Sequence, residues 1–87
     1  MEITKGMVVK SMYGHDAGSF YVVLSEDGQF AYIADGKLRA RGKPKKKNKK
    51  HLAITRTLAS ETDMSTDKKI RQFLWSFNHG DELPETD

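Results

Sequence analysis

Apolar residues recur at the period of a strand through the first forty positions of this chain and at the period of a helix near its end. Met7-Val8-Val9-Lys10-Ser11-Met12 is β-branched and apolar on both faces. It runs into Tyr13-Gly14-His15-Asp16-Ala17-Gly18, whose two glycines and aspartate mark a loop. From Ser19 to Ser25, Phe20, Val22 and Leu24 alternate with Tyr21 and Val23, which predicts a strand at least partly covered on both faces. Asp27-Gly28 separates this strand from Gln29-Phe30-Ala31-Tyr32-Ile33-Ala34, and Asp35-Gly36 separates that run from Lys37-Leu38-Arg39-Ala40-Arg41. Asp-Gly is the favoured pair for a type I′ turn, whose two central positions need positive φ, so the two pairs predict a three-stranded antiparallel meander. Gly18 ends the first loop, where positive φ or a close backbone approach is expected, and Gly28 and Gly36 are the turn glycines.

Gly42-Lys43-Pro44-Lys45-Lys46-Lys47-Asn48-Lys49-Lys50 argues against any regular element through its glycine, its proline and its mutual repulsion. His51 to Arg56 alternates weakly and is expected to return as a further short strand with Leu52 and Ile54 inward. Beyond it, Ile70, Phe73, Leu74 and Phe77 fall at i, i+3, i+4 and i+7. Ser65 is the best N-cap, Asp67 complements the dipole in the first turn, and Asn78-His79-Gly80 supplies the stop. Trp75 adjoins the stripe and reads as the rim of the core rather than as a platform for a base. A single helix of roughly 13 residues is unstable alone in water and must pack on the sheet. The expected fold is therefore mainly β: a small antiparallel barrel with one C-terminal α-helix packed on it. Residues 1–58 form the barrel, with a basic loop at 42–50. Residues 59–80 form a linker and the helix, and 81–87 an acidic, frayed tail.

Eighty-seven residues suffice for one core and bury roughly 60–65% of the unfolded surface, which leaves no room for a large pocket between two lobes. The absence of cysteine excludes disulfides, thiolate nucleophiles and cysteine-based zinc sites. The longest apolar run, Phe20 to Leu24, is far short of the ~20 residues of a membrane helix, and Met1 to Lys5 does not begin a signal peptide. A cytoplasmic protein, monomeric when free, is the expectation. Catalysis finds no constellation. His15, His51 and His79 lie 36 and 28 residues apart with no ligand at helical spacing, and Asp16, Asp27 and Asp35 read as turn formers. No enzyme, metal or cofactor is expected.

Charge changes the picture. The net charge is only +3, yet residues 37–56 hold ten cations and no acid, while the remainder holds five cations against twelve acids. Such a polarised surface steers polyanions to one place, and nucleic acid is the leading candidate. On the expected strand, Lys37, Arg39 and Arg41 form a row about 6.6 Å apart with Leu38 and Ala40 facing inward. Lys43, Lys45, Lys46, Lys47, Lys49 and Lys50 continue the row as a mobile arm ending at His51. Lys10 adds a cation on the first strand, and Tyr13 and His15 offer planar groups for stacking on an unpaired base.

Lys5-Gly6-Met7-Val8-Val9-Lys10-Ser11, then Tyr13 to Gly18, then Phe20-Tyr21-Val22-Val23-Leu24 resembles a KOW motif, with Gly18 as its near-invariant glycine. The continuation through Ile33-Ala34-Asp35-Gly36 to Lys-Pro-Lys-Lys-Lys and His-Leu resembles large-subunit ribosomal proteins of the archaeal and eukaryotic fourteen-e type and short bacterial KOW proteins related to them. The likeness covers about residues 3–55. It implies an SH3-like barrel, RNA as ligand, a translation setting and a first loop, Tyr13 to Ala17, that faces RNA. Many ribosomal KOW loops carry Lys or Arg near the glycine, where this chain has His15 and Asp16, so the expected phosphate contacts move to residues 37–51. The expected function is a non-catalytic RNA-binding module, for rRNA or another structured RNA. The alternative is an adaptor for ribosomal or transcription proteins. A DNA-binding architectural role is weaker, since no long helix carries the basic residues.

Overall fold

The structure is a computed structural model that describes residues 2–79; the expected Gly80 cap and the acidic segment 81–87 lie outside the described residues. The elements are β1 (Met7–Ser11), β2 (Phe20–Asp27), β3 (Phe30–Ala34), β4 (Lys45–Asn48), a 3₁₀ turn (Lys49–His51), β5 (Leu52–Leu58), α1 (Asp67–Phe73) and α2 (Trp75–His79). The strands form one open antiparallel sheet in the order β4-β3-β2-β1-β5. Among the described residues no helix is long and apolar enough to cross a membrane.

Alternation along β1 and β2 builds a core on each face. Val9 stands opposite Tyr21 and Val8 opposite Val22, so neighbouring residues enter different cores. One cluster joins Ile3, Val9, Tyr21, Val23, Ala31, Ile33 and Leu52, with Ile54 packed against it. The other joins Val8, Val22, Ala59, Met64, Ile70 and Leu74, with Phe20, Leu24, Phe73 and Phe77 packed against it. The expected covering of both faces of β2 is what the structure shows.

The sheet is curled. β4 and β5 occupy opposite edges, about 19 Å apart if five strands lay flat, yet only the 3₁₀ turn joins them, advancing about 6 Å. Both ends of the turn are pinned. Lys49 N donates to Gln29 O at 2.8 Å, and His51 O accepts from Met12 N at 2.9 Å. Residues from β3 and β5 consequently meet in the first cluster.

Several expectations need correction. The first Asp-Gly pair does join β2 and β3, but the loop is Gly28-Gln29, and only Gly28 has positive φ. Glycine at the first central position is the type II′ pattern rather than I′. The second pair makes no hairpin, and Lys37 to Arg41 forms no strand. Asp35 Oδ1 accepts from Lys37 N at 2.9 Å and Arg39 N at 2.8 Å, while Asp35 N and Gly36 N both donate to Arg39 O. Local bonding of this kind competes with a ladder. The segment is also held by the helical region: Arg41 N donates to Asp67 Oδ1 at 2.7 Å and Arg41 Nε to Met64 O at 2.9 Å. The basic row on a rigid strand is therefore absent, and Leu38 is 80% exposed rather than inward.

The lysine run is not an irregular arm. Lys45 to Asn48 is β4, paired Ile33↔Lys45, Tyr32↔Lys46, Ala31↔Lys47 and Phe30↔Asn48. Its period of two sends Lys45 and Lys47 to Asp16 and places Lys46 over the Phe30 ring at 4.3 Å. Leu52 and Ile54 of β5 do join the core as expected.

The helical stripe is present in two pieces. Thr66, not Ser65, is the N-cap and accepts from Lys69 N at 3.1 Å, and Leu74 at φ −88, ψ −1 divides α1 from α2. Ile70 and Leu74 are fully buried, whereas Phe73 and Phe77 are half-buried. Asn78 ties α2 to the sheet by accepting from Phe20 N at 2.8 Å and donating to Phe20 O at 3.3 Å.

Candidate nucleic-acid interface

The loop between β1 and β2 is organised by Asp16. Its Oδ1 accepts from Ser11 Oγ at 2.8 Å and Lys47 Nζ at 3.0 Å, and its Oδ2 from Lys45 Nζ at 2.8 Å. Lys47 Nζ also donates to Tyr13 O at 2.7 Å. Burial pushes the Asp16 carboxyl upward, but the hydrogen bonds from Lys45, Lys47 and Ser11 outweigh it and hold it well below the usual carboxylate range. Asp16 is thus the charge partner of two strand lysines as well as a loop residue. The alternation of Lys45 and Lys47 was the one sequence signal of this, hidden because no apolar residue marked a strand.

Three of the ten clustered cations are engaged with acids, since Lys49 also pairs with Glu26. The other seven remain for an outside anion or for local contacts. Lys37, Arg39, Lys43 and Lys50 are exposed and without an acidic partner among the described residues. Arg56 is exposed likewise, Lys46 lies over Phe30, and the Arg41 guanidinium bonds Met64 O. Lys10 sits 5.7 Å from the centre of the Phe20 ring.

The two planar loop residues part company. Tyr13 is 61% exposed and meets His51 edge-on, with centroids 5.0 Å apart and planes at 60°. His15 instead lines a cavity of about 390 Å³ with Ser19, Leu38, Arg39 and Lys45. Tyr21 lies at this cavity too; burial first, then the nearby Asp16 and Asp35 charges, push its hydroxyl up to about 12, so it stays a neutral phenol. The first loop and the connection between β3 and β4 thereby converge, although Arg39 reaches the cavity from a pinned turn instead of a strand.

A second cavity of about 210 Å³ adjoins the first and shares Ser19 and Leu38 with it. Lys37, Arg71, Trp75 and His79 also line it. The Trp75 and His79 rings stack at 3.8 Å and 10° from parallel. Leu38, Arg71 and Trp75 were not among the sequence candidates, because only the docking of α1 and α2 on the β3–β4 connection brings them to this place. Gly18 has the positive φ expected of it, at +93°, and lies on the wall of the same cavity.

The arrangement offers cations on a pinned backbone, a hydroxyl and flat rings around open cavities. It can hold an anionic, planar ligand. No group of three or more metal-ligating side chains gathers among the described residues. In comparisons with known proteins, no family model matches the chain, and no curated protein matches it.

Proposed function

We propose that this chain is a non-catalytic RNA-binding module of the KOW type, acting on rRNA or another structured RNA in a translation-related setting. The observation that carries the reading is the convergence of the β1–β2 loop and the β3–β4 connection, which sets His15, Arg39 and Lys45 around one open cavity. Lys37, Arg39, Lys43 and Lys50 provide the phosphate contacts, which position the RNA and supply most of the affinity. Tyr13, backed edge-on by His51, presents an exposed ring for stacking. The curl of the five-stranded sheet, with one short turn linking its two edges, supports the SH3-like barrel. Lys45 and Lys47 have a different task from the one the sequence suggested: through Asp16 they fix the loop that carries Tyr13 and His15.

Crosslinking in cells followed by sequencing of the attached RNA tests this function. Recovery of RNA concentrated at one rRNA position, or at one structured RNA, is the expected result. Recovery of crosslinked protein with no RNA above background would replace the module by the adaptor reading.

A further inference from the structure

A lone exposed leucine needs no explanation on a protein surface. Leu38 differs in where it stands and how it is held. It lies between two adjoining cavities and lines both. Its neighbours divide between them, with Lys37 on the smaller and Arg39 on the larger. The turn that carries the three residues is pinned at four backbone positions, two bonds going to Asp35 Oδ1 and two to Arg39 O. An apolar tip is thus carried on a pinned backbone, with Lys37 at one cavity and Arg39 at the other, and it shares the smaller cavity with the stacked Trp75 and His79 rings.

The geometry points to Leu38 as a wedge that inserts beside an unpaired base of RNA. This rests on the RNA-binding reading and narrows its ligand to loops, bulges or single strands. The base enters the smaller cavity, against Leu38 and the Trp75–His79 wall, and the phosphates on its two sides meet Lys37 and Arg39. Charge selects the occupant: Lys37, Arg39 and Arg71 line the two cavities against Asp35, whose Oδ1 is held by the backbone amides of Lys37 and Arg39, while Lys45 and Asp16 pair with each other. An apolar tip at such a place has no use for a continuous A-form duplex, whose bases are stacked and whose deep groove admits no side chain. Unstacked bases instead expose the faces that an apolar or aromatic surface covers.

The test uses the whole chain and two RNAs of the same composition, a hairpin with 2-aminopurine in its loop and a fully paired duplex. Because Leu38 is exposed, Leu38→Ser should melt like the parent. We expect it to lose about tenfold in affinity for the hairpin, and the 2-aminopurine response with it, while binding to the duplex stays unchanged. Leu38→Met, which keeps an apolar tip, should retain both. Equal affinities of parent and Leu38→Ser for the hairpin would overturn the wedge while leaving RNA binding intact. A parent that binds neither RNA would remove the RNA-binding reading and the wedge together. Loss of a protein partner by Leu38→Ser, with hairpin binding unaltered, would make the tip a protein-docking residue and overturn the proposal as well.

Discussion

Asp16→Asn removes one charge at nearly constant volume from the junction that holds the first loop to β4. The Asp16 side chain is 12% exposed and that of Lys47 only 9%, so the ammonium left behind could reach little water. It would keep its bond to Tyr13 O but lose its counter-charge. Breaking a buried ion pair by removing one partner costs about 3–5 kcal/mol. The lower end, about 3 kcal/mol, fits here because Lys45 is 26% exposed and can turn to solvent. In a domain of this length each kcal/mol lowers the thermal midpoint by about 4–8 °C, so a fall of about 12–24 °C is expected. Circular dichroism melts and urea titrations read it directly. A cycle with Lys47→Met separates lost attraction from a stranded charge. The double variant should be more stable than Asp16→Asn alone, since no unpaired buried ion remains. A midpoint for Asp16→Asn within about 3 °C of the parent, or strict additivity in the cycle, would refute the claim that the loop is held by this junction.

Three further outcomes follow from the same structure. Asp16 has a depressed carboxyl pKa, so its contribution is fully present above the unfolded value of about 3.9 and is lost as pH falls through the folded value; urea midpoints should therefore drop below about pH 4 in the parent and less so in Asp16→Asn. Gly36→Ala should unfold the helical docking, because a Cβ there would lie 2.2 Å from Asp67 O at a φ of +79°, whereas Gly18→Ala, with nothing within 4 Å of the new carbon, should show only backbone strain of about 1–2 kcal/mol; equal losses by denaturant titration would contradict the packing. Ile70→Ala should cost about 2–5 kcal/mol and exceed Phe73→Ala, since Ile70 is fully buried and Phe73 half-buried; the reverse order would mean α1 is rotated from the position described.

Four of the five strands were legible because their side chains alternate or are apolar on both faces. β4 was not, since Lys45-Lys46-Lys47-Asn48 carries no apolar residue and reads locally as repulsion. What makes it a strand lies far away in sequence: Asp16 takes up Lys45 and Lys47, Phe30 receives Lys46, and the β3 edge supplies the ladder. Tertiary context of this kind overrides propensity. The two Asp-Gly pairs teach the same point. Their dipeptides are identical, yet only Asp27-Gly28 turns a hairpin, because Gly36 is pressed against α1 and Asp35 bonds its own turn. Of the site, the exposure of Tyr13 and His15 followed from the loop pattern, whereas that of Lys37 and Arg39 was expected from a strand the structure lacks and arises from the pinned turn instead. The inward role of Lys45 and Lys47, and the presence of Arg71, Trp75 and Leu38 at the cavities, depend on contacts between distant segments that no local pattern encodes.

The central claim is that the exposed cations Lys37, Arg39, Lys43 and Lys50 bind RNA phosphates. Affinity for a loop-containing RNA, measured across salt concentrations for the parent and for Lys37→Gln/Arg39→Gln, tests it most directly. With Lys37, Arg39, Lys43 and Lys50 each engaging one phosphate, the parent should give a log–log slope of roughly −2.8, at about 0.7 per contact on single strands. The double variant should flatten that slope by about 1.4 without altering the thermal midpoint. A parent slope indistinguishable from zero, or an unchanged slope in the variant, would contradict the account.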